Sequence, residues 1–269
     1  MKKVRFRLDQ RLVELNLASD TNQAKAMLMA GEVFVNERRL TLAGIQVTDT
    51  DRIEVRSRKL PFASRGGFKL QKALEEFKIS VEGLWVADIG ASNGGFTDCL
   101  LQRGAAKVFA IDVGHGQLAL RLSQDPRVEV RDRTNARFLT PADFERPLDL
   151  ITVDASFIAL ASLLSTLRAL LQPQGQLIGL VKPQFEAAAS DVSKGGVVRD
   201  ANVHRQVLQN LRCRAEELGF PMQRLTYSPI KGPAGNIEFL AAFCGTPQDA
   251  VLSTAEVNSV VERAHNELN

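Results

Sequence analysis

Between Leu84 and Val181 the chain alternates five short apolar runs with stretches of helical character, and that alternation constrains the fold more than any other feature. The runs are Leu84–Asp88, Lys107–Asp112, Val128–Arg131, Leu148–Val153 and Gln176–Val181. Each has the length and composition of a strand buried on both faces. Such strands, separated by helices, predict a parallel sheet covered on both sides. Two further runs, Gln223–Tyr227 and Ile237–Phe243, are separated by the turn residues Pro229, Gly232, Pro233 and Gly235. They predict a hairpin added to the same sheet. The expectation is an α/β fold with a Rossmann-like sheet of seven strands, the last hairpin antiparallel. A solvated helix is expected over Ala250–Leu268.

The first sixty residues follow a different pattern. Leu8, Leu12 and Leu15 recur at helical spacing, and a second helix is expected from about Asn22 to Ala30, capped by Asp20 or Thr21 and ended by Gly31. Val33–Arg39 reads as a strand entering a turn, and Arg52–Val55 as another strand. A basic joint, Arg56–Lys59, leads to Pro61, which marks a linker. The expected organisation is a small α+β domain over residues 1–58, a linker over 59–63 and the larger domain over 64–269. Residues 1–60 hold twelve Lys and Arg against eight Asp and Glu, whereas the rest of the chain is one charge negative. A basic small part on a near-neutral large one points to a polyanion gripped at one end; a solvated basic face is the alternative.

Several classes are excluded by the same composition. No apolar run approaches the ~20 residues of a membrane-spanning helix. Met1–Arg7 is basic but no apolar stretch follows it, so no secretory signal is expected. Cys99, Cys213 and Cys244 are far apart and odd in number, without zinc or redox spacing. A reducing, cytoplasmic setting and no metal site are expected.

The sharpest local motif is Asp88-Ile89-Gly90-Ala91-Ser92-Asn93-Gly94-Gly95-Phe96, which follows a strand and opens a helix. Glycines there let the backbone approach a ligand, and the helix start offers free N–H groups. The motif lacks the spacing of a dinucleotide fingerprint and the Gly-Lys-Ser/Thr of a P-loop. Asp112 ends the next strand, where a carboxylate can accept from both hydroxyls of a ribose. Asp132 ends the third, where it can meet an adenine amino group. Acids at strand ends repel a pyrophosphate but suit an adenosine that carries a sulfonium.

Four charged residues occupy settings that a core disfavours. Lys69 lies near a helix start, Asp154 ends the fourth strand, Lys182 ends the fifth, and Glu238 opens the last. In open α/β sheets ligands bind beyond the carboxyl ends of the strands, so Asp154 and Lys182 are expected to meet beside the cofactor. A buried lysine beside another cation loses its proton more readily than in water and can serve as a base.

Residues 5–56 resemble the S4 RNA-binding domain through Arg7-Leu8-Asp9, Leu12, Ala24, Gly31, Val33-Phe34-Val35-Asn36 and Asp51-Arg52-Ile53. Its candidate phosphate contacts are Arg5, Arg7, Arg11, Lys25 and Arg38, with Arg65 added from the larger domain. The glycine motif with its acids resembles the S-adenosylmethionine site of Rossmann-like methyltransferases. The order Lys-Asp-Lys-Glu matches the tetrad of FtsJ-like ribose 2′-O-methyltransferases. Taken whole, the chain resembles the TlyA/hemolysin A family of ribosomal-RNA 2′-O-methyltransferases.

That resemblance implies S-adenosylmethionine as cofactor, ribosomal RNA or ribosomal subunits as partner, and methylation of a cytidine-type or other nucleotide. It implies a cofactor site of Asp88, Gly90, Ser92, Gly94, Gly95, Phe96, Asp112, Val113, Asp132 and Asp154. Lys182 is then the proton acceptor, Lys69 and Asp154 orient ribose and cofactor, and Glu238 fixes the lysines. His115 stands where the family often has Tyr or Thr, and Ala187–Val192 is less basic than the family pattern. Lys194-Gly195-Gly196 is a loop able to close over the site. Competing readings are a non-catalytic RNA-binding or ribosome-assembly factor, a membrane-active haemolysin, and a pseudouridine synthase; the last needs its Arg-Leu-Asp after the S4 part, not within it.

Overall fold

The structure is a computed structural model that describes residues 5–18, 20–29, 31–55, 61–245 and 252–268. The chain divides into two compact units, Met1–Pro61 and Phe62–Asn269. The expected basic joint at Arg56–Lys59 lies outside the described residues. Phe62 and Ala63, expected in the linker, belong to the second unit: Phe62 is buried, and Ala63 N–H donates to Asp98 Oδ2 (2.7 Å).

The first unit runs β1 (Arg5–Arg7), α1 (Leu8–Glu14), α2 (Thr21–Met29), β2 (Val33–Val35), β3 (Arg38–Leu40), β4 (Gln46–Thr48) and β5 (Ile53–Val55). Strand β1 pairs with β4, and β2 lies between β3 and β5. Asp20 Oδ1 accepts from Asn22 and Gln23 N–H (2.8 Å each), so it is Asp20 that satisfies the open donors of α2. Strands β2 and β3 join through Asn36 and Glu37, both at positive φ, the twist that a two-residue hairpin requires. Leu8, Leu12, Ala24, Leu28, Val33 and Val47 close the core. Strands β1, β3 and β4, three residues each, are not marked in the sequence.

The second unit runs α3 (Gly66–Phe77), β6 (Trp85–Ile89), α4 (Gly95–Gln102), β7 (Lys107–Ile111), α5 (Leu120–Ser123), β8 (Val128–Arg131), β9 (Leu148–Val153), α6 (Leu164–Leu170), β10 (Leu171–Val181), α7 (Pro183–Glu186), α8 (Ala201–Glu217), β11 (Met222–Tyr227), β12 (Phe239–Cys244) and α9 (Thr254–Leu268). Seven described strands form one sheet in the order β11-β12-β10-β9-β6-β7-β8. Strands β6 to β10 are parallel, and β12 enters antiparallel between β10 and β11. The strand order reverses between β6 and β9, the kind of switch point at which open sheets bind ligands.

Successive strand residues feed two separate cores, as the pleat demands. Ala87, Ile89, Phe109, Ile151 and Val181 pack with α6, α8 and α9. Val86, Val108, Leu150 and Leu180 pack with α3 and α4. The C-terminal helix is docked, not solvated as expected. Val257, Val260, Val261 and Ala264 of α9 are buried at helical spacing in the first of these cores.

Candidate active site

Each member of the charged tetrad arrives from a sheet edge or a helix start. Asp154 leaves β9 with its N–H bonded to Ile89 O (2.9 Å), which sets it beside the end of β6. Lys182 follows the last residue of β10. Val181 pairs with Phe239 across the antiparallel β10–β12 ladder, so Glu238, one residue before β12, comes level with Lys182. Lys69 projects from the first turn of α3. Lys69 Nζ meets Glu238 Oε2 at 2.6 Å, and Lys182 Nζ meets Asp154 Oδ1 at 2.7 Å and Ser156 Oγ at 3.0 Å. Lys69, Lys182 and Glu238 are all buried, and unpaired charges would be costly there; the two ion pairs offset part of that cost. All four line one cavity, together with Gly90 and Ser92 of the glycine turn.

The glycine turn supplies the opposite wall. Gly90 has φ +82, and a Cβ on it would lie 2.7 Å from the Asp154 carbonyl oxygen. Only glycine lets β6 and β9 approach so closely at their ends. Asp112 Oδ2 accepts from Ser92 N–H (2.8 Å) and Oδ1 from Gly114 N–H (2.7 Å). Each oxygen keeps a second lone pair, so the carboxylate is oriented by backbone and still able to take hydroxyls. A cavity of about 300 Å³ at these strand ends is lined by Gly90, Ser92, Asp112, Val113, Asn135 and Asp154, among others. Gly95 and Phe96 line an adjoining recess with Arg65, Lys69 and Lys231.

Not every expected cofactor residue reaches these walls. Asp88 is fully buried beneath the turn, where Thr97 and Thr152 hydroxyls donate to it at 2.7 and 3.0 Å. Burial pushes its carboxyl up to about 7. It ties β6, α4 and β9 together. Gly94 faces the Leu118 and Leu122 side chains. Asp132 is taken up locally: its Oδ2 accepts from Gly116 N–H and meets His115 Nδ1, both at 2.8 Å. The Gly116 N–H bond, foremost, holds that carboxyl below its usual range. On the cavity wall its place is filled by Thr134, Asn135 and Ala136.

Sequence reasoning gave no role to several residues that the structure brings in. Ser156 steadies Lys182. Phe157 is 91% exposed at φ +64 on the rim, with its ring 5.4 Å from that of Phe185. Asn236, buried, accepts from Val198 N–H and donates to Gly196 O (2.9 Å each), clasping the glycine loop at 195–196. The only sequence signal for Asn236 is a polar residue beside an apolar strand.

The expected RNA contacts of the first unit divide in two. Arg7 pairs with Asp9 and Arg11 with Glu14, both at 2.9 Å. Asp9 is held low chiefly by its Arg7 bond, and Lys25 adds a smaller pull. Arg5, Lys25 and Arg38 are exposed, as is Arg65 in the second unit.

A parallel sheet closed by an antiparallel hairpin, with a glycine turn and an acid after its first two strands, defines a Rossmann-like methyltransferase. Residues 62–244 match the FtsJ-like methyltransferase family and residues 6–53 the S4 domain. YqxC of Bacillus subtilis is 46% identical over 97% of this chain and 95% of its own. TlyA of Mycobacterium tuberculosis, a 16S/23S rRNA (cytidine-2′-O)-methyltransferase, is 41% identical over 98% of each chain. The solved structure of a Streptococcus thermophilus protein described as a hemolysin has a TM-score of 0.77 at 39% identity, covering 99% of this chain and 98% of that one. The chain belongs to the FtsJ-like methyltransferase family and, with its S4 domain, to the TlyA/hemolysin A group within it. No helix among the described residues is long and apolar enough to cross a membrane.

Proposed function

We propose that the chain methylates the 2′-hydroxyl of a nucleotide in ribosomal RNA, a cytidine being the first candidate, with S-adenosylmethionine as donor. One observation carries this reading: Lys69, Asp154, Lys182 and Glu238 line a single cavity that includes the glycine turn. The name of the Mycobacterium tuberculosis relative supports the choice of ribosomal RNA and cytidine.

The donor site has the right chemistry for an adenosine with a cationic sulfur. Asp112 offers two oriented oxygens to ribose hydroxyls, Gly90 leaves room for close approach, and Asp154 supplies negative charge to both cavities. When bound, S-adenosylmethionine supplies a methyl group already activated by the sulfonium. The residues then have only to align an oxygen and remove its proton. With its own proton first given up to solvent, Lys182 Nζ, fixed by Asp154 and Ser156, would take the hydroxyl proton as the oxygen–carbon bond forms and the methyl–sulfur bond breaks, the sulfur leaving as a neutral thioether. Lys69, fixed by Glu238, is placed to hold the ribose oxygen. Phe157 presents a flat apolar face at the rim, suited to a base drawn out of its stack. Residues 1–58 act as the RNA grip through Arg5, Arg7, Arg11, Lys25 and Arg38, residues 64–269 carry the chemistry with Arg65 as a further phosphate contact, and the chain works in the cytoplasm.

The test is transfer of labelled methyl from S-adenosylmethionine to ribosomes, separated subunits and naked ribosomal RNA. Label in an alkali-resistant dinucleotide establishes 2′-O chemistry and identifies the particle. Lys182→Ala is expected to lower turnover at least about 100-fold while cofactor binding persists. Cofactor binding without label in any RNA would refute the RNA reading, and wild-type turnover in the variant would refute the role of Lys182.

A further inference from the structure

The cavity rim is built from the loop at residues 154–160 after β9 and from Lys182 with helix α7 after β10, and Lys182, Phe185 and Glu186 join the two. Lys182 reaches Asp154 and Ser156. The Phe185 ring lies against Phe157. Glu186, which lines no part of the tetrad cavity, takes Leu160 N–H on its Oε1 (2.5 Å), and the Ala161 N–H adds its pull on the same carboxylate. Between these anchors sits Phe157, a bulky residue at φ +64. That conformation is strained for a residue with a side chain and persists only where its surroundings over-determine it. Ser156 holds the loop on one side of Phe157; Leu160 and Ala161 hold it on the other.

We propose that Glu186 is a positioning residue that, by binding the Leu160 N–H with the Ala161 N–H beside it, fixes the left-handed backbone at Phe157 and so presents its ring at the cavity mouth. The inference rests on the methyl-transfer reading for its effect on rate, but its structural half stands alone. Two further facts favour the assignment. The carboxyl is buried enough to be pushed up to about 7, with the Leu160 and Ala161 N–H groups opposing that shift. Phe185, its immediate neighbour, carries the ring that Phe157 leans on, so one short helix sets both ends of the contact.

The test combines amide exchange with a double-mutant cycle. In Glu186→Ala the Leu160 and Ala161 amides are expected to exchange at least about 30-fold faster than in the wild type, with other loops unchanged. In Glu186→Gln, whose amide oxygen still accepts, most of that protection should return. Turnover should fall about tenfold in Glu186→Ala and recover in Glu186→Gln. The same alanine substitution made in a Phe157→Ala background should change turnover less than twofold, because nothing is left to position. Unchanged exchange at Leu160 and Ala161 would overturn the proposal, as would equal losses in the two backgrounds. Wild-type protein that transfers no methyl to RNA would instead defeat the functional reading, and the exchange rates would still decide whether Glu186 holds the loop.

Discussion

Gly90→Ala isolates the closeness of β6 and β9 at the site. The new Cβ would lie 2.7 Å from the Asp154 carbonyl oxygen and 2.9 Å from its carbon, where ordinary contact begins at 3.4 Å. The atoms it meets are backbone, so no side chain can turn aside. Asp154 must therefore retreat by roughly 0.7 Å, and it is tied to Ile89 by a hydrogen bond that resists the move. Its carboxylate holds Lys182 at 2.7 Å, so the displacement passes to the proposed proton acceptor. A misplacement approaching 1 Å lowers turnover by about 100-fold, and the positive φ adds about 1–2 kcal/mol of strain to an alanine. Gly83→Ala is the control: its φ is +73, but a Cβ there meets nothing within 4 Å. It should show the strain alone, with full turnover. Initial rates of labelled methyl transfer at saturating cofactor, with urea unfolding of both variants, separate the two effects. A Gly90→Ala protein within threefold of wild-type turnover, no less stable than Gly83→Ala, would refute the argument from strand approach.

Two further outcomes follow from buried groups. Burial raises Asp88 and Glu186 to about 7, so the folded chain keeps protons that the unfolded chain has released; that stability is present below about 4.5 and is lost as pH rises through 7. Burial lowers His204 to about 4 and His265 in the same direction, which gives stability above about 6.5 that is lost as pH falls. The two pairs oppose each other, so between about pH 5 and 6.5 the histidines blunt the loss of stability that the acids cause as pH rises; urea unfolding of His204→Phe should therefore lose stability more steeply with rising pH than the wild type, by up to about 1.4 kcal/mol per pH unit, and equal slopes would contradict the opposition. Val261→Ala, at a fully buried position of α9, should lower stability by about 2 kcal/mol, and a change below about 0.5 kcal/mol would mean that α9 is not docked.

The five parallel strands were legible because residues buried on both faces leave continuous apolar runs, and each boundary falls within a residue or so of its run except at β10. There, Gln172-Pro173-Gln174-Gly175 has the composition of a turn, yet the strand begins at Leu171, paired with Leu148 before the register shifts. The burial of α9 was written in the spacing of Val257, Val260, Val261 and Ala264, but the polar residues between them gave the segment a solvated look. The tetrad stood out because charge in an apolar setting is expensive and therefore has a purpose. The surroundings of Asp132 were not legible: an acid after a strand looks free until the fold brings His115 and Gly116 to its Oδ2. Ser156, Phe157 and Glu186 carried no comparable signal, since what distinguishes them is loop geometry, which no local pattern encodes.

The last hairpin has a consequence for when this protein becomes active during synthesis. Lys69 and Glu238 are 169 residues apart in sequence yet share a bond, and Glu238 comes level with Lys182 only once β12 is inserted beside β10. A nascent chain can already contain the glycine turn, Asp154 and Lys182 before Glu238 has been made. Lys69 then lacks its carboxylate partner, and a buried, unpaired ammonium disfavours the closed arrangement. Contacts of such long separation form late. If transfer needs the Lys69–Glu238 pair, as proposed above, competence for it reports that the sheet has been completed, and truncated or half-folded chains are kept from chemistry by the order in which the backbone is laid down.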